Sequence, residues 1–160
     1  MQKIKLIAMG KLTESYTKTA AEEFQKRISR FYSMTVCEIK PENVPTDPSD
    51  ADIAKALLKE SEKIAAEIPS RSKVVAMCVE GKPMTSPAFA EMIDSAASSA
   101  TPDVCFIIGS SHGLHDSIKK RADVKLSFSP MTFPHELFRV MLLEQIYRSG
   151  EILNGGKYHK

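Results

Sequence analysis

The stretch Val104-Cys105-Phe106-Ile107-Ile108-Gly109-Ser110-Ser111-His112-Gly113-Leu114 decides the fold of this 160-residue chain. Its first five residues are apolar, as expected of a strand that is covered on both faces of a parallel sheet. Gly109 ends the strand, and a short helix is predicted over Asp116–Ala122. Glycine lets a backbone approach a ligand closely, and a strand-to-helix turn exposes backbone N–H donors. The stretch therefore predicts an α/β fold with a ligand site at this turn, although a turn that simply needs glycine is an equally good explanation.

Strand and helix patterns alternate over the rest of the chain. Ser49 and Asp52 form a capping-box pattern, Ser86 is an N-cap before Pro87, and Glu80-Gly81 is predicted as a turn. Strands are predicted at Lys3–Met9, Ser33–Lys40, Lys73–Val79, Val104–Ile108 and Val124–Phe128, and helices at Thr13–Arg30, between Ser49 and Pro69, from Ser86, at Asp116–Ala122 and at His135–Ser149. This alternation predicts one domain over residues 1–160, with a mostly parallel sheet covered by helices on both faces.

Two helices carry apolar stripes that bear on packing. In the first helix, Tyr16, Ala20, Phe24 and Ile28 recur at a spacing of four residues. The last helix has a stripe broader than a surface helix needs, formed by Leu137, Phe138, Val140, Met141, Leu142, Ile146 and Tyr147. Such a helix is either central in the monomer or covered by a second copy of the chain. We favour a homodimer contact over the central position.

Composition excludes several classes of protein. Hydrophobic residues are 42% and charged residues 26%, which excludes a disordered tail, a collagen-like chain and a coiled coil. No run of 18 apolar residues predicts a membrane span, and the lysine-containing N-terminus predicts a strand and not a signal peptide. Cys37, Cys78 and Cys105 all lie in apolar runs, which predicts reduced, buried thiols in a cytosolic protein.

Charge is spread unevenly although the net value is only +2. Residues 1–30 carry seven Lys or Arg and three Asp or Glu, whereas residues 31–100 carry seven basic and eleven acidic residues. The N-terminal segment is therefore a mild basic patch. Such a weak field does not hold free nucleic acid tightly by counterion release, so an RNA partner would require shape complementarity or a second subunit.

A second candidate site is the stretch Leu126-Ser127-Phe128-Ser129-Pro130-Met131-Thr132-Phe133-Pro134-His135-Glu136. Its prolines stiffen the loop by fixing φ, so the loop can present main-chain groups beside an apolar slot. That combination suits a flat heterocycle such as adenine. A tight strand-to-helix connection packed on the core is the simpler explanation of the stretch taken alone.

Titratable side chains on the last helix and the tail form a third candidate set: His135, Arg139, Glu144, Tyr147, Arg148, Tyr158, His159 and Lys160. A salt-bridged surface helix explains most of them without any chemistry. Metal-ligand spacings, a Walker A sequence and a nucleophile elbow are all missing from the chain. The first strand is also followed by one glycine, Gly10, where a dinucleotide fold needs three. Catalytic metal, ATP and nicotinamide chemistry are therefore disfavoured.

Taken together, five segments resemble the RlmH family of the SPOUT (α/β-knot) methyltransferases. They are Ile4-Lys5-Leu6-Ile7-Ala8-Met9-Gly10-Lys11-Leu12, Phe106 to His115 with Gly109 and Gly113, Leu126 to His135, Arg139 to Arg148, and the ending Tyr158-His159-Lys160. The resemblance spans the chain and implies a parallel sheet with a deep trefoil knot in its C-terminal half. It also implies a cytoplasmic homodimer that acts on RNA and not on DNA or a membrane.

The resemblance implies an activity as well: transfer of a methyl group from S-adenosylmethionine to N3 of a pseudouridine in the helix 69 loop of 23S ribosomal RNA, on the assembled ribosome. No metal takes part. The residues that match the family's donor site are Met77, Gly109, Phe128, Ser129, Pro130, Met131, Thr132 and Phe133. Ser110 and Pro130 depart from the residues that are common in the family at their positions.

Roles for the remaining residues follow from the reaction, since N3 must lose a proton before it attacks. His135 and Glu144 are candidate bases and Arg139 is the candidate stabiliser of the resulting anion. Tyr158, His159 and Lys160 are candidates for RNA contact by stacking and phosphate pairing. The alternative functions are a non-catalytic RNA-binding or ribosome-assembly factor with the same fold and, more weakly, a dinucleotide enzyme.

Overall fold

Five parallel strands form one sheet in the computed structural model, which describes residues 1–160. The strands are β1 Lys3–Met9, β2 Ser33–Ile39, β3 Ser72–Lys82, β4 Asp103–Ile108 and β5 Val124–Leu126, in the order β2-β1-β4-β3-β5. The helices are α1 Ser15–Ile28, α2 Asp50–Glu67, α3 Ser86–Ala97, α4 Asp116–Arg121 and α5 His135–Leu153. None of these helices has the length and apolarity needed to cross a membrane.

The sheet is covered on both faces, as its apolar strands predict. Along β1, Ile4 and Leu6 enter one core cluster while Ile7 and Met9 enter the other. The first cluster holds residues of α1, α3 and α5, and the second holds residues of α2 and α4. Alternating side chains of one strand therefore serve opposite layers. The predicted α/β fold is confirmed; the trefoil knot stays a prediction.

Helix α5 packs against both α1 and α3 within the chain. This position accounts for its broad apolar stripe, because Leu142, Leu143 and Ile146 are fully buried without a second copy. The apolar stripe therefore fits the central position that we ranked second, and the homodimer needs other support. The helix continues to Leu153, beyond its predicted end at Ser149. Gly150 lies against the Phe31 ring, and an added Cβ there would come within 2.3 Å of that ring.

The predicted turn at Glu80-Gly81 is wrong, because β3 continues to Lys82. Its pairing with β5 is irregular between Met77 and Lys82, and both of these residues are partners of Leu126. Gly81 allows the close approach: an added Cβ would lie 2.7 Å from the backbone of Lys125 and Leu126. A glycine that looks like a turn signal in the sequence is thus a close contact between two strands.

Three smaller expectations also need correction. The N-cap of α3 is Thr85 and not Ser86, since the Thr85 hydroxyl accepts from the N–H of Ala88. Tyr16 is 63% exposed, so Thr17 and not Tyr16 belongs to the buried stripe of α1. Strand β5 ends at Leu126 instead of Phe128. The capping box of Ser49 and Asp52 is confirmed.

The cysteines are all free, but only Cys105 is fully buried. Burial raises the pKa of the Cys105 thiol to about 12. Cys37 and Cys78 are partly exposed, contrary to the expectation that all three are buried. Cys37 packs against the second core cluster, and Cys78 lies between the buried Met77 and the exposed Val79.

Candidate functional site

A cavity of about 450 Å³ lies at the carboxyl ends of β3, β4 and β5. Parallel strands end at the same edge of a sheet, so the loops that follow them meet there. The register shows this directly, because Met77 of β3 pairs with Ile108 of β4 and with Leu126 of β5. The cavity brings together seven of the eight predicted donor residues: Met77, Gly109, Phe128, Ser129, Met131, Thr132 and Phe133. Pro130 belongs to the same loop but does not line the cavity.

The turn after β4 forms one wall of this cavity. An added Cβ on Gly109 would lie 2.4 Å from the carbonyl oxygen of Gly113, so only glycine fits there. The N–H of Gly113 closes the turn by donating to the Ser110 carbonyl at 2.8 Å, and Gly113 has a φ of +87°. The sequence pattern predicted a ligand-facing turn here; close packing explains Gly109, and the positive φ explains Gly113.

Glu60 supports that turn from α2, and the sequence analysis missed it. It is only 3% exposed. One oxygen accepts from the Ser110 hydroxyl at 2.8 Å and the other accepts from the N–H of Glu42 at 2.9 Å. A glutamate four residues before the buried Ile64 on the same helix face is the signal that could have identified it.

The loop from Ser127 to Pro134 forms the opposite wall. Within it the Ser127 hydroxyl donates to the Ser129 carbonyl at 3.1 Å, and the Ser129 hydroxyl accepts from the N–H of Met131 at 3.0 Å. The backbone N–H groups of Phe128, Ser129, Thr132 and Phe133 make no hydrogen bond in the structure. These residues are exposed or partly exposed, so their N–H groups are open to water and to a ligand in the cavity.

His135 joins the two walls. Its Nε2 donates to the carbonyl oxygen of Gly109 at 2.5 Å, since a carbonyl can only accept. In the neutral ring the proton is therefore on Nε2, and Nδ1 is the free acceptor. His135 lines the cavity, as does Phe138 from the next turn of α5, whose ring lies 5.1 Å from that of Phe128.

Glu136, the next residue, was not singled out in the sequence as a functional candidate. Its carboxylate accepts hydrogen bonds from the N–H and hydroxyl of Thr13, the N–H of Glu14 and the hydroxyl of Thr17. The Thr13 hydroxyl, followed by the N–H of Glu14, lowers the pKa of Glu136 to about 2. The first turn of α5 is thereby fastened to the start of α1.

Arg139 lies apart from the cavity. It is 2% exposed, and its guanidinium donates to a Glu38 carboxylate oxygen at 2.6 Å and to the Gly10 carbonyl at 2.8 Å. Its Nε has no partner. The predicted anion stabiliser is therefore held at the carboxyl ends of β1 and β2, where it ties α5 to the sheet.

Glu144 lines a second cavity, of about 360 Å³, which shares Leu126 and Phe128 with the first. One Glu144 oxygen accepts from Arg148 and from the Tyr158 hydroxyl at 2.9 Å, and Gln145 donates to the other. The hydrogen bond to Glu144 raises the pKa of Arg148. Burial, followed by this same carboxylate, raises the pKa of Tyr158.

The tail docks on α5 through this cluster. The Tyr158 ring lies 4.8 Å from that of Tyr147 in an edge-on arrangement, and Arg148 contacts His159 at 3.3 Å. Lys160 is exposed. The structure thus brings Glu144 together with the predicted RNA-contacting residues Tyr158 and His159, and it places His135 in the other cavity.

Glu80 and Lys119 form an ion pair at the edge of the first cavity and are the only Asp, Glu, Lys or Arg residues that line it. The remaining lining is mainly apolar and aromatic, with several small hydroxyls. Such a lining suits a ligand with a flat ring and a few polar groups. No group of three or more His, Cys, Asp or Glu side chains is arranged to hold a metal ion.

Comparison with known proteins identifies the family. The family described as predicted SPOUT methyltransferase matches residues 2–159. A ribosomal RNA large subunit methyltransferase H of Streptococcus equi subsp. zooepidemicus is 40% identical over 158 residues, which is 99% of either chain. The protein of the same name from Clostridium botulinum is 42% identical over 157 residues, covering 98% of this chain and 99% of its own.

A solved structure of a methylase family protein from Haemophilus influenzae Rd KW20 matches the fold with a TM-score of 0.56. It is 12% identical, and the match covers 98% of this chain and 70% of that one. This match supports the α/β fold alone. The family match and the relatives establish that the chain belongs to the SPOUT methyltransferase family.

Proposed function

We propose that the protein is a ribosomal RNA methyltransferase that uses S-adenosylmethionine to methylate N3 of a pseudouridine in the helix 69 loop of 23S ribosomal RNA. The observation that carries the proposal is the cavity at the ends of β3, β4 and β5, which gathers the donor-binding segments of the family. Relatives at 40% and 42% identity are named as methyltransferases of large-subunit ribosomal RNA. The identification of a helix 69 pseudouridine as the target rests on the family resemblance.

The residues of the cavity fit a sulfonium nucleoside. Its volume of about 450 Å³ is within the range of small-molecule sites. The unpaired N–H groups of the loop from Phe128 to Phe133 suit the edge of an adenine ring, and Met77 and Leu126 suit its faces. S-adenosylmethionine would supply an already activated methyl group, so the protein chiefly has to position the two reactants.

His135 is the better placed of the two candidate bases for proton removal beside the donor cavity. Its Nε2–H is held by the Gly109 carbonyl, which leaves Nδ1 free to accept a proton. Glu144 accepts hydrogen bonds from Arg148, Tyr158 and Gln145, an arrangement that suits orienting a substrate group in the second cavity. Arg139 contributes by holding α5 in place, because its guanidinium already donates to Glu38 and to the Gly10 carbonyl.

We further propose that the protein works as a homodimer in the cytoplasm and that its substrate is the assembled ribosome. The exposed apolar side chains Tyr16, Met131 and Leu137, at 63%, 73% and 39% exposure, are available for a second copy. The net charge of +2 is too small to hold naked RNA tightly, so the ribosome has to supply additional contact surface.

The test is mass spectrometry of ribosomal RNA after incubation of ribosomes with the protein and isotopically labelled S-adenosylmethionine. One labelled methyl group on a helix 69 pseudouridine supports the proposal. Binding of ribosomes without transfer of label would instead indicate a non-catalytic assembly factor. Rapid labelling of a short naked hairpin would contradict the requirement for the ribosome.

Two variants separate the candidate bases. His135→Gln keeps an N–H donor for the Gly109 carbonyl but removes the titratable ring. Loss of a general base lowers the rate by about 10²–10⁴-fold. We expect this loss of rate in His135→Gln, with unchanged affinity for S-adenosylmethionine. Glu144→Gln should change the pH dependence of the rate less than His135→Gln does. The reverse pattern would assign the base to Glu144.

A further inference from the structure

Three arginines and four aromatic rings form a continuous surface from the end of α1 to the tail. We name the set Arg27, Arg30, Arg148, Phe24, Phe31, Tyr147 and Tyr158 the arginine–aromatic surface. We propose that this surface binds the sugar-phosphate backbone of the substrate RNA, with Arg27 and Arg30 as phosphate contacts beyond the methylation site. The inference rests on the proposed function.

The guanidinium groups of Arg27 and Arg30 lie over aromatic rings. The Arg27 Cζ lies 5.7 Å from the Phe24 ring centre and 5.8 Å from that of Tyr147, and the Arg30 Cζ lies 5.8 Å from the Phe31 ring. A guanidinium within about 6 Å of a ring centre is attracted to the face of that ring. Each of these arginines is therefore a cation held near the aromatic rings, and its unused N–H donors are available to a phosphate.

The partners of these arginines inside the chain are few. Arg30 is exposed and makes no side-chain hydrogen bond or ion pair in the structure. Arg27 uses its Nε for Glu23 at 2.8 Å, so both terminal nitrogens are unused. Such exposed cations add nothing to the core, and they are the donors that an approaching polyanion can use.

The surface is continuous with the tail cluster. The Phe31 ring lies 6.1 Å from the Tyr147 ring, which lies 4.8 Å from the Tyr158 ring, and the Arg148 Cζ lies 4.6 Å from Tyr158. Arg27 is near enough to influence the Tyr158 hydroxyl electrostatically. The end of α1 therefore lies next to the predicted RNA-contacting residues Tyr158 and His159 and enlarges the surface that they form.

RNA fits this surface better than an apolar partner does. Aromatic rings and arginines are the groups with which proteins hold unpaired bases and phosphates of RNA loops. The basic excess of residues 1–30, seven Lys or Arg against three Asp or Glu, has its last two members at Arg27 and Arg30. Within the set, Arg27 is paired with Glu23 and Arg148 with Glu144, so Arg30 is the cation without an acidic partner.

The test compares Arg30→Ala with Lys18→Ala in the full-length protein. Each variant removes one exposed cation from the α1 region, and Lys18 has no ion pair either. Lys18 lies roughly 15 Å along α1 from Ile28, where the helix ends, at 1.5 Å per residue, and Arg30 lies two residues beyond that end. The measurement is ribosome affinity from 50 to 300 mM salt, plotted as log affinity against log salt concentration.

We expect Arg30→Ala to make the salt slope about one unit less negative and to weaken binding several-fold, because one phosphate contact is lost. Lys18→Ala should leave the slope unchanged. Arg27→Lys, which keeps the charge but not the planar guanidinium, should bind with intermediate affinity. Donor affinity by calorimetry and the melting temperature should match the wild type in all three variants.

An unchanged slope in Arg30→Ala, with normal ribosome binding and methylation by the wild type, would overturn the surface and leave the proposed function standing. Equal slope changes in Arg30→Ala and Lys18→Ala would overturn it too, because they would indicate a general charge effect. A change in oligomeric state in Arg30→Ala would assign the surface to a second copy. A wild type that methylates no ribosomal RNA would overturn the proposed function itself.

Discussion

Gly109 is a position where a single added carbon would disturb the wall of the proposed donor cavity. A Cβ there would meet the Gly113 carbonyl at 2.4 Å and the Leu114 side chain at 2.9 Å, so the turn has to open. The same movement would pull the Gly109 carbonyl away from His135.

We expect Gly109→Ala to lower the free energy of unfolding by about 1–3 kcal/mol, as overpacking does, and to abolish donor binding. Urea unfolding and calorimetry with S-adenosylmethionine measure the two effects. Ser98→Ala, at an exposed position just after α3 and outside the cavity, is the control and should change neither. Normal donor affinity in Gly109→Ala would remove this turn from the site.

Glu136 gives a prediction about pH. Its pKa falls from 4.5 to about 2 in the folded protein because the Thr13 hydroxyl and the N–H of Glu14 bind the charged form. A group whose pKa is lower in the folded state stabilises the fold above its unfolded pKa and loses that contribution as pH falls. The contribution of Glu136 is therefore full above about pH 4.5 and fades toward pH 2.

Glu136→Gln should consequently melt at a lower temperature than the wild type at pH 7, and the gap should narrow between pH 4.5 and pH 2. Melting curves over this range measure the effect. Glu62→Gln, which changes an exposed glutamate with no hydrogen bond, is the matched control. A gap that does not depend on pH would show that the carboxylate is not bound as the structure shows.

At the scale of elements, α5 is the helix on which the others converge. Gly150 lets it approach Phe31, which belongs to the arginine–aromatic surface. Alanine has the higher helix propensity, by about 1 kcal/mol, so an exposed glycine-to-alanine change would stabilise the helix. At Gly150 the steric contact outweighs the helix propensity, because a Cβ would lie 2.3 Å from the ring of Phe31.

Gly150→Ala should therefore lower the free energy of unfolding by about 1–3 kcal/mol in spite of its better propensity. Gly150→Ala combined with Phe31→Leu should recover part of the loss, because the smaller side chain makes room. Denaturant unfolding of both variants measures these changes in the free energy of unfolding. Stabilisation by Gly150→Ala alone would mean that Phe31 moves aside at no cost.

The elements also show how far sequence could lead. Apolar runs located β1, β3 and β4, whose central residues are buried on both faces of the sheet. Ser49 marked the start of α2 through its hydroxyl. Gly81 and Gly150 led to wrong predictions because, in a sequence, a glycine that permits close packing cannot be distinguished from a glycine in a turn. Thr85 was missed because Ser86, its neighbour, has the same capping chemistry.

The site was predictable where chemistry depends on backbone loops and less so where it depends on distant side chains. Gly109 and the loop from Phe128 to Phe133 were found from local pattern together with the family resemblance. Glu60 bonds to Ser110 across 50 positions of sequence, and Arg139 to Glu38 across 101. Pairings over such separations are created by the fold, so local spacing carries no sign of them.

The whole molecule offers a test of ligand class. A ligand that binds only the folded state raises the melting temperature, by an amount corresponding to about 2.7 kcal/mol at 100 times its dissociation constant. We expect S-adenosylmethionine to raise it and NAD to have no effect, since Gly10 is alone after β1. A shift with NAD and none with S-adenosylmethionine would contradict the assignment of the cavity.

The order of strands in the sheet has a consequence for synthesis of the chain. β1 pairs with β2 soon after both have left the ribosome, but its other neighbour is β4, and Ile4 pairs there with Val104. Until that later segment emerges, one side of β1 offers unpaired amide and carbonyl groups to any extended polypeptide nearby. Nascent chains stalled before β4 should therefore depend on chaperones, and refolding of the released protein should be slow for its size because its central pairing joins such remote segments.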